Sequence, residues 1–180
     1  VANCARLASE RVDAELFGSE SLQNHRRVVG LFEQAHKGTL YFDEICDLPL
    51  DTQGKIVRAV NEQRFRRVGG NTEVVVDVRV ISASSRNLTA EISAGRLRED
   101  LYYRLGVVPL TMPPLAQRRE DIPLLAKHFT ALVAKRLGVL PFKLSDEVLA
   151  AMQAYGWPGN VRQILNVIET MLILAPTDSN

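Results

Sequence analysis

Two adjacent carboxylates, Asp43 and Glu44, follow directly after the apolar run at residues 39–42. An apolar run with aromatic side chains predicts a buried strand, and carboxylates at its end are costly to desolvate unless something uses them. Ligands of open α/β sheets bind at the carboxyl ends of the strands. An Asp there can hold Mg²⁺, usually through water, and a neighbouring Glu can polarise an attacking water. A strand that simply surfaces into an acidic turn fits the same pattern.

Two arginines, Arg98 and Arg104, accompany a segment in which Leu97, Leu101 and Leu105 recur every four residues. That spacing places the leucines on one buried helix face, whereas arginines six residues apart point in different directions. They are either solvated surface side chains or groups that reach a phosphate of a nucleotide held by a neighbouring subunit. An arginine supplied in trans accelerates phosphoryl transfer by roughly 10³–10⁵.

A third cation, Arg162, lies in the first turn of a predicted helix that Asn160 caps. The helix dipole disfavours a cation there by about 0.3–1 kcal/mol. Arg162 shares the polar face with Gln163, Asn166 and Glu169, away from the apolar stripe. An anion that is often nearby would explain the position, and a tolerated surface arginine is the alternative.

The elements that must position these groups alternate between strand and helix in the first part of the chain, which predicts an α/β fold with a parallel sheet. The predicted elements are a helix at 5–16, a loop at 18–30, a strand at 39–42, a helix at 51–63, a strand at 74–83, helices at 87–94 and 97–105, and a strand at 107–110.

The pair Pro113-Pro114 interrupts this alternation and predicts a domain boundary. We therefore expect an α/β domain at 1–114 and a small α-helical domain at 115–180. Helices are predicted at 121–137, closed by Gly138, and from the cap Ser145 to Gly156, with a last helix after Asn160.

Composition excludes several protein classes. The chain has 180 residues, 46% of them hydrophobic and 24% charged, which is typical of a globular protein. No apolar run approaches the roughly 20 residues of a membrane span, and a formal charge of +1 gives no global electrostatic case for binding nucleic acid. Cys4 and Cys46 lack metal-ligand spacing, as do the histidines (His25, His36 and His128), so we expect reduced thiols, a cytoplasmic location and no metal site built on these residues.

In order along the chain, many segments resemble the central AAA+ domain of the NtrC-type, sigma-54-dependent transcriptional activators. The resemblance is carried by Asn3-Cys4-Ala5, Glu15-Leu16-Phe17-Gly18, Gly38-Thr39-Leu40-Tyr41-Phe42-Asp43-Glu44-Ile45, Arg67-Val68-Gly69-Gly70, Asp77-Val78-Arg79-Val80-Ile81, Arg98-Glu99-Asp100-Leu101-Tyr102-Tyr103-Arg104-Leu105, Pro113-Pro114-Leu115, Glu120-Asp121-Ile122 and Trp157-Pro158-Gly159-Asn160-Val161-Arg162.

This resemblance implies ATP and Mg²⁺ as cofactors, and it gives each candidate residue a role. Asp43 resembles the Walker B metal-binding Asp and Glu44 the water-activating Glu, which Asn3 would pair with in a nucleotide-dependent switch. Arg98 and Arg104 match inter-subunit arginine fingers, Arg162 matches the lid arginine called sensor II, and Ser84-Ser85 occupy the sensor I position. Such modules form rings, commonly hexamers, and use ATP to remodel the complex of sigma-54 RNA polymerase with its promoter.

Three departures from the family pattern qualify these expectations. The phosphate-binding G-x-x-x-x-G-K-[ST] loop is absent, so we expect a chain that begins after that loop, is inactive alone and leaves a sheet edge open. The sigma-54-contacting Gly-Ala-Phe-Thr-Gly-Ala loop is missing between Gly18 and Phe32, which resembles NtrX-like regulators. Ser84-Ser85 replace the usual Thr-Asn at sensor I.

Two functions remain open from the sequence. In the first, ATP hydrolysis remodels sigma-54 polymerase. In the second, nucleotide drives oligomerisation and positions a DNA-binding domain, without remodelling. No helix-turn-helix region is present in these residues, so DNA contact is expected only through a C-terminal domain outside them.

Overall fold

The computed structural model of the chain describes residues 1–8, 10–21 and 26–174. It divides into two compact units, Val1–Pro109 and Leu110–Asn180. Each unit has its own hydrophobic core. The division falls before the Pro113-Pro114 pair, within residues 109–114, which form neither helix nor strand.

The first unit is built on a parallel sheet. Its strands are β1 (Ala2–Asn3), β2 (Ser19–Glu20), β3 (Arg27–Val28), β4 (Gly38–Asp43), β5 (Arg64–Arg66), β6 (Glu73–Val75) and β7 (Val78–Ser82). Among the described residues, β1, β4 and β7 form a parallel sheet in that order, while β2 with β3 and β5 with β6 form antiparallel pairs. The central strand β4 buries Leu40 and Phe42, as its apolar run predicts.

Helices cover this sheet and build the core. They are α1 (Val12–Phe17), α2 (Leu31–Gln34), α3 (Leu50–Glu62), α4 (Leu88–Ser93) and α5 (Glu99–Leu105). Ile56, Ala59 and Val60 of α3 are buried together with two leucines, Leu97 just before α5 and Leu101 within it. The predicted α/β architecture is confirmed.

Three predicted elements of this unit are wrong in detail. The strand predicted at 74–83 is two strands, because the Val76 amide and the Val78 amide both bond to Gln63 and turn the chain from one sheet into another. The helix predicted at 5–16 is a 3₁₀ turn at Cys4–Arg6 followed by α1. Part of the loop predicted at 18–30 is the pair β2 and β3, and residues 22–25 lie outside the described residues.

The strand predicted at 107–110 does not form. An extended segment gains hydrogen bonds only from a neighbouring strand, and none of the described strands pairs with it. Its apolar side chains remain exposed, with Val107 at 77%, Val108 at 75% and Leu110 at 86%. β7 likewise pairs on one side only within the described residues, with β4.

The second unit is helical. It contains α6 (Ile122–Leu137), α7 (Asp146–Ala154) and α8 (Asn160–Leu174), with 3₁₀ turns at Leu115–Gln117 and Arg119–Asp121. Gly138 ends α6 in the left-handed conformation with φ 71°, and the Ser145 hydroxyl accepts the Val148 amide, as predicted. Ile164 and Ile168 of α8 are fully buried against α6.

A helix that could span a membrane is not found anywhere in the described parts of the chain.

Candidate functional site

The carboxyl end of β4 places the acidic pair between two neighbouring strands. Asn3 of β1 lies in register with Asp43 on one side, and Phe42 lies in register with Ser82 of β7 on the other. Parallel pairing continues past the strand, because Ala83 donates to the Phe42 carbonyl at 2.8 Å and Ile45 donates to the Ala83 carbonyl at 3.1 Å. The residues after β4 and β7 therefore meet at one sheet edge.

Glu44 adopts a left-handed backbone with φ 55° and ψ 56°. This conformation costs a non-glycine residue about 1–3 kcal/mol and is often kept at functional sites. The turn directs the Glu44 carboxylate to the loop after β7, where the Ser85 amide donates to both of its oxygens at 3.2 and 3.0 Å. The Ser84 hydroxyl donates to the same carboxylate at 3.4 Å.

These donors keep Glu44 ionised. Hydrogen bonding by Ser85, and less strongly by Ser84, lowers the pKa of Glu44 below its ordinary value, against the opposing effect of burial, and the Arg86 charge adds to the lowering. Glu44 is thus an anionic, hydrogen-bonded carboxylate at a sheet edge. Ser85, which occupies the predicted sensor I position, is thus hydrogen-bonded to Glu44 through its amide.

Asn3 and Asp43 are near neighbours, but Asn3 is not bonded to Glu44. Asn3 Oδ1 is buried and lacks a hydrogen-bond partner among the described residues. Asp43 is half-buried, and the Tyr41 hydroxyl donates to its Oδ1 at 3.4 Å. The Asp43 carboxylate thus accepts fewer hydrogen bonds than that of Glu44.

Asp43 fits the way that proteins hold Mg²⁺ beside a nucleotide, with one or two carboxylates, waters and phosphate oxygens. No cluster of three or more potential metal ligands occurs in the described ranges, so these residues offer no all-protein cage for a metal.

Arg98 stands at the amino end of α5 and packs against α3. Its amide donates to the Gln53 side chain at 2.9 Å, and its guanidinium lies over Gly54, where an added Cβ would be 3.6 Å from Cζ. Asp100 accepts two parallel hydrogen bonds from this guanidinium, at 3.0 and 2.8 Å. This pairing lowers the pKa of Asp100.

Arg104 donates to the Val60 carbonyl near the end of α3, at 3.1 Å. The two arginines therefore contact successive parts of one helix, although six-residue spacing predicts different directions. In the described residues, neither arginine is hydrogen-bonded to Asp43 or Glu44. The first unit thus presents the acidic pair and the arginines as two separate groups.

Arg162 belongs to the second unit, where it lies exposed in the first turn of α8. It has no side-chain hydrogen bond or ion pair with another described residue. The prediction that Asn160 caps this helix is wrong. It takes a left-handed φ of 50°, and its Oδ1 accepts the Leu115 amide at 2.8 Å, so it ties the start of α8 to the first turn of the unit.

Two buried polar residues near Arg98 escaped the sequence analysis. Gln53 is fully buried in α3 and Glu91 of α4 is 7% exposed. Gln53 shares the apolar face of α3 with Ile56 and Val60, and a polar side chain in an apolar stripe is a signal that could have identified it. No comparable pattern marks Glu91, whose partners Arg86 and Arg96 are five residues away on either side.

Comparison with known proteins decides the family. The profile of the family described as "Sigma-54 interaction domain" matches residues 1–111. The chain belongs to the sigma-54 interaction domain family. A second profile, "AAA+ ATPase lid domain", matches residues 116–179, so this member combines an AAA+ α/β unit with a helical lid.

NtrX proteins are among its similar relatives. The chain is 48% identical over 178 residues to the nitrogen assimilation regulatory protein NtrX of Azorhizobium caulinodans, covering 99% of this chain and 39% of the relative. A crystal structure of NtrX from Brucella abortus superposes with a TM-score of 0.93 at 46% identity, covering 99% of this chain and 41% of that one. Another, in complex with ATP, gives 0.90 at 46% identity, with 99% and 39% covered. The chain spans about two fifths of the length of these relatives.

Proposed function

We propose that this chain is the greater part of an ATP-hydrolysing module of a sigma-54-type transcriptional regulator. The observation that carries the proposal is the Glu44 carboxylate, held anionic by Ser84 and Ser85 beside Asp43 at the carboxyl end of β4. An anionic Glu in this position can orient a water and accept its proton as the water attacks a terminal phosphate. The relative from Brucella abortus that was crystallised with ATP supports nucleotide as the ligand.

Asp43 would hold Mg²⁺, directly or through water. When bound, Mg²⁺ neutralises charge on the phosphate oxygens. The Ser85 amide and the Ser84 hydroxyl would fix the direction of Glu44, and the unpaired oxygen of Asn3 offers a second partner for Glu44 in another nucleotide state. A phosphate-binding loop would be supplied by residues outside this chain.

Arg98 and Arg104 would act on the nucleotide of the neighbouring subunit, because neither contacts the acidic pair of its own unit. Both lie on the α3–α5 surface, which we propose forms the interface of a ring, commonly a hexamer in this family. Arg162, whose guanidinium has no partner among the described side chains, would contact phosphate from the lid.

Sigma-54 polymerase is the proposed target of the motor. The absence of Gly-Ala-Phe-Thr-Gly-Ala between Gly18 and Phe32 favours a second candidate, a nucleotide-dependent oligomerisation module that does not remodel sigma-54. In both cases DNA would be bound by a separate C-terminal domain. We also propose a cytoplasmic location, which agrees with the two free cysteines because thiols stay reduced in that compartment.

The test uses the chain extended at its amino end by a phosphate-binding segment. Glu44→Gln should abolish hydrolysis and retain ATP-bound rings. Arg98→Ala and Arg104→Ala should lower turnover about 10³-fold or more while leaving nucleotide binding by the monomer nearly unchanged. Loss of binding by the monomer in either arginine variant would contradict the in-trans assignment.

Transcription in vitro separates the two candidate functions. The full regulator, core polymerase with sigma-54, promoter DNA and ATP are combined, with Glu44→Gln as the matched control. Activated transcription that depends on Glu44 supports the motor. ATP-dependent assembly without activation supports the regulatory module.

A further inference from the structure

Glu91 is a buried carboxylate with two arginine partners. Arg96 donates to it twice, from Nε and from a terminal nitrogen, each at 2.8 Å, and Arg86 donates at 3.3 Å. The main chain of Glu91 takes part as well, because its carbonyl accepts the amides of Arg96 and Leu97 at 2.9 and 3.2 Å. One residue therefore holds the turn that follows α4 from both its side chain and its backbone.

That turn leads directly into Arg98. On the opposite side, Gln53 accepts the Arg98 amide and donates to the Arg96 carbonyl, both at 2.9 Å. Leu97 between them is 4% exposed and packs in the core. The backbone from Arg96 to Arg98 is consequently fixed between Glu91 and Gln53, although the Arg98 side chain itself is exposed.

The same anchors reach the residues that follow the acidic pair. Arg86 also pairs with Asp47, and its amide donates to the Ser84 hydroxyl that contacts Glu44. Gln53 donates to the Leu48 carbonyl at 2.9 Å. The backbone that leads into Arg98 is thus joined by hydrogen bonds to the segments on either side of Glu44.

We propose that Glu91 is a positioning residue for Arg98, which it aims at the nucleotide of the neighbouring subunit by clamping Arg96. The inference rests on the proposed function, in which Arg98 acts in trans. Displacement of a catalytic group by about 1 Å costs on the order of 10²-fold in rate. Loss of the Glu91 charge should therefore slow hydrolysis although the Glu91 side chain bonds to Arg86 and Arg96 and not to Asp43 or Glu44.

The experiment is subunit mixing with the extended chain. Glu91→Gln preserves shape and removes the charge, and we expect turnover to fall roughly 10–100-fold with ATP binding retained. Its own Asp43 and Glu44 are intact, so a neighbour with a working Arg98 should restore it. Glu44→Gln subunits are such neighbours, because they cannot hydrolyse ATP but keep their arginines.

We expect the mixture of Glu91→Gln and Glu44→Gln subunits to turn over ATP at least about threefold faster than the sum of the separate proteins, because the restored sites regain the rate lost by misplacement of Arg98. A fold-supporting role would not produce this complementation. Arg96→Gln, whose side chain is 57% exposed, removes the other half of the clamp and should behave alike if Glu91→Gln does not fold. Glu73→Gln, which breaks an exposed pair with Arg66, is the matched control and should leave turnover unchanged.

Mixing Arg98→Ala with Glu44→Gln tests the underlying function separately. If that pair fails to complement, the in-trans role of Arg98 is wrong and the positioning role falls with it. If that pair complements while neither clamp variant does, or if Glu91→Gln retains full turnover, the positioning role of Glu91 alone is overturned.

Discussion

Gln53 makes an informative target because its amide is fully buried and satisfies three backbone groups, two of which lie more than 40 positions away. It donates to Leu48 and Arg96 and accepts from Arg98, each at 2.9 Å. Gln53→Met keeps the length and flexibility of the side chain but removes every polar atom. The change therefore isolates the hydrogen bonds from the packing of α3.

The magnitude follows from these contacts. A typical hydrogen bond contributes about 1 kcal/mol net, and an unpaired buried group costs about 1–3 kcal/mol. Three hydrogen bonds are lost, and the methionine side chain offers no donor to the buried Leu48 carbonyl. The relief from no longer burying an amide offsets part of this cost, so we expect about 2–3 kcal/mol of destabilisation of the first unit.

Hydrogen exchange read by mass spectrometry reports this unit separately. At 2–3 kcal/mol, peptides from β4 and α3 should exchange roughly 30- to 150-fold faster under native conditions. Trp157 is the only tryptophan of the chain and is buried in the second unit, so its fluorescence follows that unit. Gln34→Met is the control, since Gln34 is exposed and donates a single bond to the Val29 carbonyl, and it should change stability by less than about 0.5 kcal/mol. Equal exchange in the two variants would refute the bridging role of Gln53.

Three further outcomes are expected. Burial and the nearby carboxylates of Asp47 and Asp43 raise the pKa of Cys4 to about 12, and burial raises the pKa of Cys46. Neither thiol should therefore react with a thiol reagent at pH 8 until the chain is unfolded. Rapid labelling of the native chain would contradict this expectation. The hydrogen bonds from Arg96 are the main reason that the pKa of Glu91 is lowered from 4.5 to about 2. The ionised Glu91 therefore stabilises the fold above pH 4.5, and this stabilisation disappears as the pH falls toward 2. The difference in stability between the wild-type chain and Glu91→Gln, measured by urea unfolding, should shrink over that window and not at higher pH. The 180-residue chain alone should hydrolyse ATP no faster than background, whereas turnover that Glu44→Gln abolishes would show that its phosphate site is complete.

Much of the local structure could be read from the sequence because its determinants are close neighbours along the chain. The apolar run before Asp43 predicts a buried strand, and β4 is one. Ser145 and Gly138 mark helix ends through contacts with residues only a few positions away. The separation of an α/β part from a helical part follows in the same way, from the periodicity of the apolar residues.

Patterns that depend on distant partners could not be read in this way. The β-branched run at 74–83 divides because Gln63 binds Val76 and Val78, and the apolar run at 107–110 stays out of the sheet because no described strand borders it. Asn160 is a residue type that commonly caps helices, yet its Oδ1 accepts a hydrogen bond from the Leu115 amide, 45 residues away.

The sequence by itself determined which residues carry charge at the end of β4, on α5 and on α8, and the order of the segments that place this chain in its family. Only the tertiary structure decided what each charge meets: Glu44 meets Ser85 rather than Asn3, and Arg98 meets Asp100 over Gly54. The buried residues Gln53 and Glu91 that fix the Arg98 backbone also emerge only from the fold. The reason is physical, because a side chain's partners are set by which elements pack together, and the Gln53–Arg98 and Glu44–Ser85 contacts join residues more than 40 positions apart.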